Sequence, residues 1–447
     1  MIERLKSVFI VLLTLSLVGL LGLSFSLGIY GGQQGPVERL AGLIFPARAG
    51  AAKDEHVFLP QPAAWPGQAA ICREDGIYAA ITAQEYDALC NPSSPVFLVY
   101  QEALGSSGEP VAVAESDFMA LLGGPAIYLR WNSPLPLWMH YGWAESDGEK
   151  PELPLETVAV GTVDGQSVVL AFATGDGRYF SMTTGTNLQA LLAACEVAES
   201  PNSALAGASA RYGGLPPYAL IYGDGNSALG GFVRLPEYRL SLRDYTGGLP
   251  RQMLEAFSLR YYLSESMMSA GGALRYMDGP SELTASADGS LRLLRSAREE
   301  PITQGLAPGS HAETIRVVEY ARSLVSAVWQ AAEASGQLSL ESVDYSAGTY
   351  TIRFEWQLGG LYVETPMRPA YVVVENGCLA AAGVWPMLAV ADETAAIAYP
   401  QYAAAAAAMG GGAPGISYSW HPWESDTSEG ERPAAELKPR VAVVDAP

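Results

Sequence analysis

From Val8 to Tyr30 the chain runs for 23 residues of Val, Leu, Ile, Phe, Gly, Ser, Thr and Tyr without a single charge. About 20 such residues span a bilayer core of about 30 Å as a helix. The run therefore dictates a membrane-embedded segment ahead of any folded domain. Arg4 and Lys6 precede it, and no further charge occurs until Glu38. By the positive-inside rule the short tail lies in the cytoplasm and the bulk of the chain outside the plasma membrane. A cleaved signal peptide is the competing reading. Its apolar region is usually about 7–15 residues with a small-residue cleavage site close behind. Here the run is longer, and the triplet Ala47-Arg48-Ala49 lies well past its end, which favours an uncleaved anchor.

On that helix Leu15, Gly19, Gly22 and Ser26 share one face. Small residues let helix backbones approach closely in lipid, so this face is a candidate partner-binding surface. The plain alternative is that Gly and Ser are simply common in spanning helices.

The charge balance removes two function classes. The 26 Lys+Arg stand against 47 Asp+Glu, a net charge of −21, and only four lysines occur. Nucleic-acid binding needs clustered cations, and so does a polybasic grip on anionic lipid; neither is expected. Cys72, Cys90, Cys195 and Cys378 contain no CxxC pair, and His56, His140, His311 and His421 are scattered singly. No metal or redox site follows from such spacing. Outside the cytoplasm Cys72 and Cys90 can form a disulfide; the alternative is two small buried hydrophobes.

The order of segments reads as a cytoplasmic tail (1–6), a signal anchor (7–30) and a Gly/Pro/Ala/Gln-rich stalk (31–70). Three extracytoplasmic regions follow, at 71–200, 201–305 and 306–447. In the first, Thr82-Ala-Gln-Glu85 is a capping box that opens a short helix. Val96 to Tyr100 is a compact apolar run that reads as a buried strand. Glu115 to Leu122 reads as a helix, Ala126 to Trp131 as a strand, and three further strands up to Thr183 as a meander before a helix at 187–198. The middle region carries a strand ending at Tyr222, a helix over Gln252 to Leu259, and strand fragments at Leu274 to Tyr276, Glu282 to Ser286 and Leu291 to Leu294. In the last, Glu313 to Ser335 places Ile315, Val318, Val325, Val328 and Trp329 on one face of a long amphipathic helix. Tyr350, Ile352, Phe354, Trp356 and Leu358 alternate with Thr351, Arg353, Glu355 and Gln357, the pattern of a half-buried antiparallel strand. Asn376-Gly377 between two apolar runs predicts a type I′ hairpin. The alanine run 403–408 reads as a packed helix, 422–436 as an acidic loop, and Ile416 to Trp420 and Arg440 to Val444 as strands. Helices and antiparallel strands in blocks make the class α+β, with helices packed on sheets.

Chemistry is hard to find. There is no GxSxG, SxxK, P-loop or EF-hand pattern. Gly175-Asp-Gly-Arg178 and Gly223-Asp-Gly-Asn226 lie between strands and read as hairpin turns. No catalytic residue, metal or cofactor is assigned. The aromatic segment holding Trp131, Trp138 and Trp143 is either a partner surface, since Trp and Tyr are enriched at interfaces, or a proline-broken strand end that plugs the core.

Several strings carry a resemblance: Ala126-Ile-Tyr-Leu-Arg-Trp-Asn-Ser-Pro-Leu-Pro-Leu137, Tyr276-Met-Asp-Gly279, Ala287-Asp-Gly-Ser-Leu291, Gly359-Gly-Leu-Tyr-Val363, Asn376-Gly377 and Leu437-Lys-Pro-Arg-Val-Ala-Val443. With the anchor, their order resembles the YycH family of Firmicutes, and the last third also resembles the YycI/PepSY-like fold. The resemblance implies a non-enzymatic regulator. Its expected partners are a sensor histidine kinase of a two-component system and a YycI-like companion, met through the membrane helix and the outer domains. Two other classes stay open: an extracytoplasmic peptide- or glycan-binding module, which needs a pocket with convergent polar groups, and an anchored cell-envelope hydrolase.

Overall fold

A computed structural model describes residues 64–80, 83–137, 139, 153–197, 201–212, 215–222, 228–229, 232–236, 251–259, 265–268, 273–286, 289–295, 301–387, 389–392, 397–398, 413–422 and 433–444. The apolar run, with Leu15, Gly19, Gly22 and Ser26, lies outside them, as does the alanine run. Among the described residues no helix is long and apolar enough to cross a membrane.

The first half builds a sheet from β1 (Gln68–Arg73), β2 (Gly76–Ala79), β3 (Val111–Val113), β4 (Ala126–Pro136), β5 (Pro154–Gly161), β6 (Val169–Ala173), β7 (Tyr179–Thr183), β8 (Ser203–Leu205) and β9 (Leu220–Tyr222). Their order is β3-β7-β6-β5-β4-β1-β2-β8-β9, antiparallel throughout. The helices α1 (Ala83–Cys90), α2 (Pro95–Gly105) and α4 (Leu188–Cys195) pack on one face, and α3 (Glu115–Leu121) with residues 206–212 and 215–219 covers the other.

The strand expected over Val96 to Tyr100 is instead the core-facing part of α2. Ser94 caps that helix by accepting from Phe97 N–H at 3.1 Å, and Pro95 takes the first helical position. A short apolar run reads equally as a buried strand or a buried helix, and the Ser-Pro pair ahead of it settles the choice. A second correction concerns the stalk. Residues 64–70, inside the stretch read as linker, are built into the fold, with Gln68 to Ala70 already in β1. Their Pro/Ala/Gln composition hides one apolar anchor, Trp65.

The second half contributes β10 (Ala228–Leu229), β11 (Phe232–Pro236), β12 (Glu265–Met268), β13 (Leu274–Asp278), β14 (Ser281–Ala285), β15 (Leu291–Arg295), β16 (Gln337–Ser346), β17 (Thr349–Leu358), β18 (Leu361–Glu364), β19 (Ala370–Glu375), β20 (Cys378–Val384), β21 (Val390–Asp392), β22 (Ile397–Ala398), β23 (Ala413–Pro422) and β24 (Pro433–Val444). All but β10 and β22 join one sheet, ordered β12-β13-β14-β15-β20-β19-β17-β18-β23-β24-β11-β21, with β16 also paired to β17. The expected polar loop over 422–436 gives up its ends to β23 and β24. The hairpin at Asn376-Gly377 has φ of 50° and 78° at its two central residues, the left-handed pair that a type I′ turn demands.

The helix α6 (His311–Ala331) packs on this sheet, and α5 (Arg251–Ala256) packs on α6. In α6 the Ser310 side chain accepts from Glu313 N–H at 3.2 Å, and Val317, Val318, Ala321, Leu324, Val325, Val328 and Trp329 are buried. Each of the large ones contributes roughly 1.5–3 kcal/mol of gross burial. Ile315, expected among them, is half-buried, because the packed stripe turns through Val317 instead. One core cluster runs from Ala64 to Met387. The three-region division at 200 and 305 stands as a proposal about chain order. Hydrogen bonding groups the strands differently, carrying β8 and β9 into the first sheet and joining β15 to β20.

Candidate functional site

The two sheets meet where residues 64–67 pass between them as a strap. Trp65 N–H donates to Ser339 Oγ at 3.0 Å, and Gln357 Nε2 donates to the Trp65 carbonyl at 3.3 Å. Trp131 Nε1 donates to the Ala64 carbonyl at 3.3 Å. Tyr86, from α1, donates its hydroxyl to the Pro66 carbonyl at 2.5 Å and accepts from Gln337 Nε2 at 3.4 Å. The β17–β18 turn closes on the same tyrosine. Gly360 sits there with φ of +81°, and a Cβ at that position would run into the Tyr86 ring. The turn thus needs glycine twice over, for its backbone and for the close approach.

This junction changes how β17 is buried. Glu355 and Gln357 lie on the face that alternation assigns to solvent, yet they are 6% and 0% exposed. The expectation of a half-buried strand fails at this end, because Trp65 and Asn132 of β4 cover the second face. Leu358, expected inside, is half-buried. Glu355 Oε1 accepts from Gln357 Nε2 at 2.8 Å and from Asn132 Nδ2 at 3.5 Å. Burial pushes the Glu355 carboxyl up to about 7, while the hydrogen bonds from Gln357 and Asn132 pull the other way. Desolvation wins, so the group changes charge near neutrality.

Beside the strap lies a cavity of about 460 Å³, walled by Trp65, Tyr86 and Asp87 on one side and by Arg322, Trp329 and Gln337 on another. Arg322, Ser326 and Trp329 come from one face of α6 at spacings of four and three. On the far face of the first sheet a different polar pair is sealed. Arg130 Nη2 stands 3.0 Å from Glu156 Oε1, with side chains 2% and 10% exposed.

The sequence candidates are distributed as follows. Trp131 is 2% exposed and stacks at a tilt on Tyr100, 5.8 Å between ring centres, so it takes the core-plugging reading. The side chains of Trp138 and Trp143 lie outside the described residues. All four cysteines are buried and none is in a disulfide. Cys72 and Cys90 belong to core clusters on opposite faces of the first sheet, which accounts for their not being joined. Burial pushes the thiols of Cys72 and Cys195 up to about 12 and that of Cys90 up as well. None of these is a thiolate at neutral pH. Gly175 to Arg178 forms the expected turn, with Thr174 N–H donating to the Arg178 carbonyl at 3.0 Å. The turn at Gly223 to Asn226 is outside the described residues. Sequence reasoning did not find Glu355, Gln357 or Arg322; no motif marks them.

No protein-family model matches the chain, and no curated protein does. Among solved structures it is similar to the crystal structure of YycH from Bacillus subtilis, with a TM-score of 0.46 and 8% identity over 86% of this chain and 96% of that one. It is also similar to an uncharacterized protein from Eubacterium rectale, with a TM-score of 0.27 and 12% identity over 47% of this chain and 75% of that one.

Proposed function

We propose that the chain is a membrane-anchored, non-enzymatic regulator that associates with a sensor histidine kinase of a two-component system and modulates its activity, together with a YycI-like companion. The observation that carries this reading is the 23-residue apolar run behind Arg4 and Lys6, followed by the ordered strings of resemblance. The described strings occupy strands and tight turns: Ala126 to Pro136 is β4, Gly359-Gly360 joins β17 to β18, and Leu437 to Val443 lies in β24. The β4 string is mostly buried, so its chemistry is that of folding. The buried, protonated thiols of Cys72, Cys90 and Cys195 support the same reading, because a nucleophile must be ionised and within reach.

Recognition is assigned to the helix face of Leu15, Gly19, Gly22 and Ser26. A helix that only tethers can be any apolar sequence of about 20 residues. Small residues let helix backbones approach closely, and van der Waals packing then drives association in lipid. Gly19→Leu with Gly22→Leu should leave insertion intact, since Leu spans at least as well as Gly, yet reduce co-purification with the kinase. Full kinase capture by the doubly substituted chain would assign recognition to the outer body alone.

A further inference from the structure

Among the described residues no carboxylate stands within ion-pair distance of Arg322, which lines the cavity beside the strap; Glu319 attracts its charge only from farther off. Eight arginines among the described residues stand within ion-pair distance of a carboxylate, including Arg73 with Asp75, Arg130 with Glu156 and Arg316 with Glu319. Arg322 has no such partner among the described residues, although the chain carries 47 carboxylates against 26 Lys+Arg. Its Nε is sealed from solvent with no hydrogen bond, and the side chain lines the cavity. The nearest carboxylate in sequence, Glu319, is engaged by Arg316 at 3.9 Å. Asp87, on the facing wall, accepts from Asn91 Nδ2 at 3.3 Å. Holding a guanidinium partly out of water without an anion is costly, and a structural role would be served as well by an uncharged side chain. The rest of the wall fits a small ligand. Half-buried Trp65 supplies an apolar face, Trp329 a buried edge of the wall and Gln337 an amide, and about 460 Å³ falls within the roughly 300–1,000 Å³ of small-molecule sites.

We propose that this cavity binds a small organic carboxylate with an apolar or ring face, the carboxylate paired to the Arg322 guanidinium and the face laid against Trp65. A guanidinium presents two parallel N–H groups that match a carboxylate in two-point contact. Indoles add area and a polar edge at low conformational cost. The site stands independently of the regulatory reading and couples to it by position, because Trp65 is also the strap that joins the two sheets.

Two sources supply this chemistry, the carboxy end of an amino acid or peptide and a uronic acid. The test is isothermal titration of the full chain in detergent micelles with N-acetylphenylalanine, its neutral carboxamide, glucuronate and inorganic phosphate. N-acetylphenylalanine or glucuronate should bind, and whichever is tighter identifies the source. The carboxamide should be at least roughly tenfold weaker than the acid. Arg322→Gln should lose binding by a similar factor, with Arg322→Lys recovering part of it. The acid–amide comparison is made on the unsubstituted chain, so it decides the question even if Arg322→Gln unfolds. Equal binding of acid and amide, tighter binding of phosphate than of both carboxylates, or no heat from either carboxylate would overturn the proposal.

Discussion

Replacing Glu355 by Gln removes one titration and almost nothing else. The side chains match in length, and Gln keeps an oxygen to accept from Gln357 Nε2 and Asn132 Nδ2. In the folded chain the Glu355 carboxyl is raised from 4.5 to about 7 by burial. An acid whose folded value lies above its unfolded value favours the fold while it is protonated. That advantage is complete below pH 4.5 and is lost as pH rises through 7. Each unit of difference corresponds to about 1.4 kcal/mol, so the loss between pH 4 and pH 8 is about 3 kcal/mol. Glu355→Gln stays neutral throughout. It should therefore match the unsubstituted chain at low pH and exceed it by about 3 kcal/mol at pH 8. Urea denaturation of the full chain in detergent, followed by tryptophan fluorescence at pH 5 and pH 8, measures both. A midpoint difference that opens with pH supports the buried junction. A parallel pH dependence in the two chains, or a weaker Glu355→Gln chain at pH 8, would refute the argument that Trp65 and Asn132 seal this face of β17.

Breaking the sealed pair on the other face of the first sheet should be severe: Arg130→Met strands Glu156 and should cost about 3–5 kcal/mol in the same denaturation assay, while Arg130→Met with Glu156→Leu should recover most of that loss. Gly360→Ala should lose about 1–3 kcal/mol from its left-handed backbone alone, and near-ultraviolet circular dichroism should report the displaced Tyr86 ring.

Local patterns in the sequence located much of the second sheet. Alternation from Tyr350 to Trp356 marked β17, and Asn376-Gly377 marked its neighbouring hairpin, because both signals are complete within ten residues. The helix α6 was legible from its Val/Trp stripe, although it starts at His311 behind the Ser310 cap and ends at Ala331, short of the expected Ser335. The run Val96 to Tyr100 went astray because five apolar residues carry no period of their own, and the Ser94-Pro95 start decides the matter. Glu355 and Gln357 show a deeper limit. Alternation says which side chains share a face, not whether a distant segment covers the other face. Trp65 and Gln357 are 292 positions apart and meet only in the folded chain. The cavity and Arg322 were invisible for the same reason.

On the proposed function, the membrane helix holds a sensor histidine kinase through its small-residue face. In a helix each residue advances about 100°, which sets Leu17 opposite the face of Leu15, Gly19, Gly22 and Ser26. The direct measurement places a photo-crosslinking amino acid at Gly19 and, in a second chain, at Leu17, in living cells. The captured proteins are then identified by mass spectrometry. The expected result is a sensor histidine kinase captured strongly from position 19 and weakly from position 17. Capture of no kinase from either position, or equal capture from both, would contradict it.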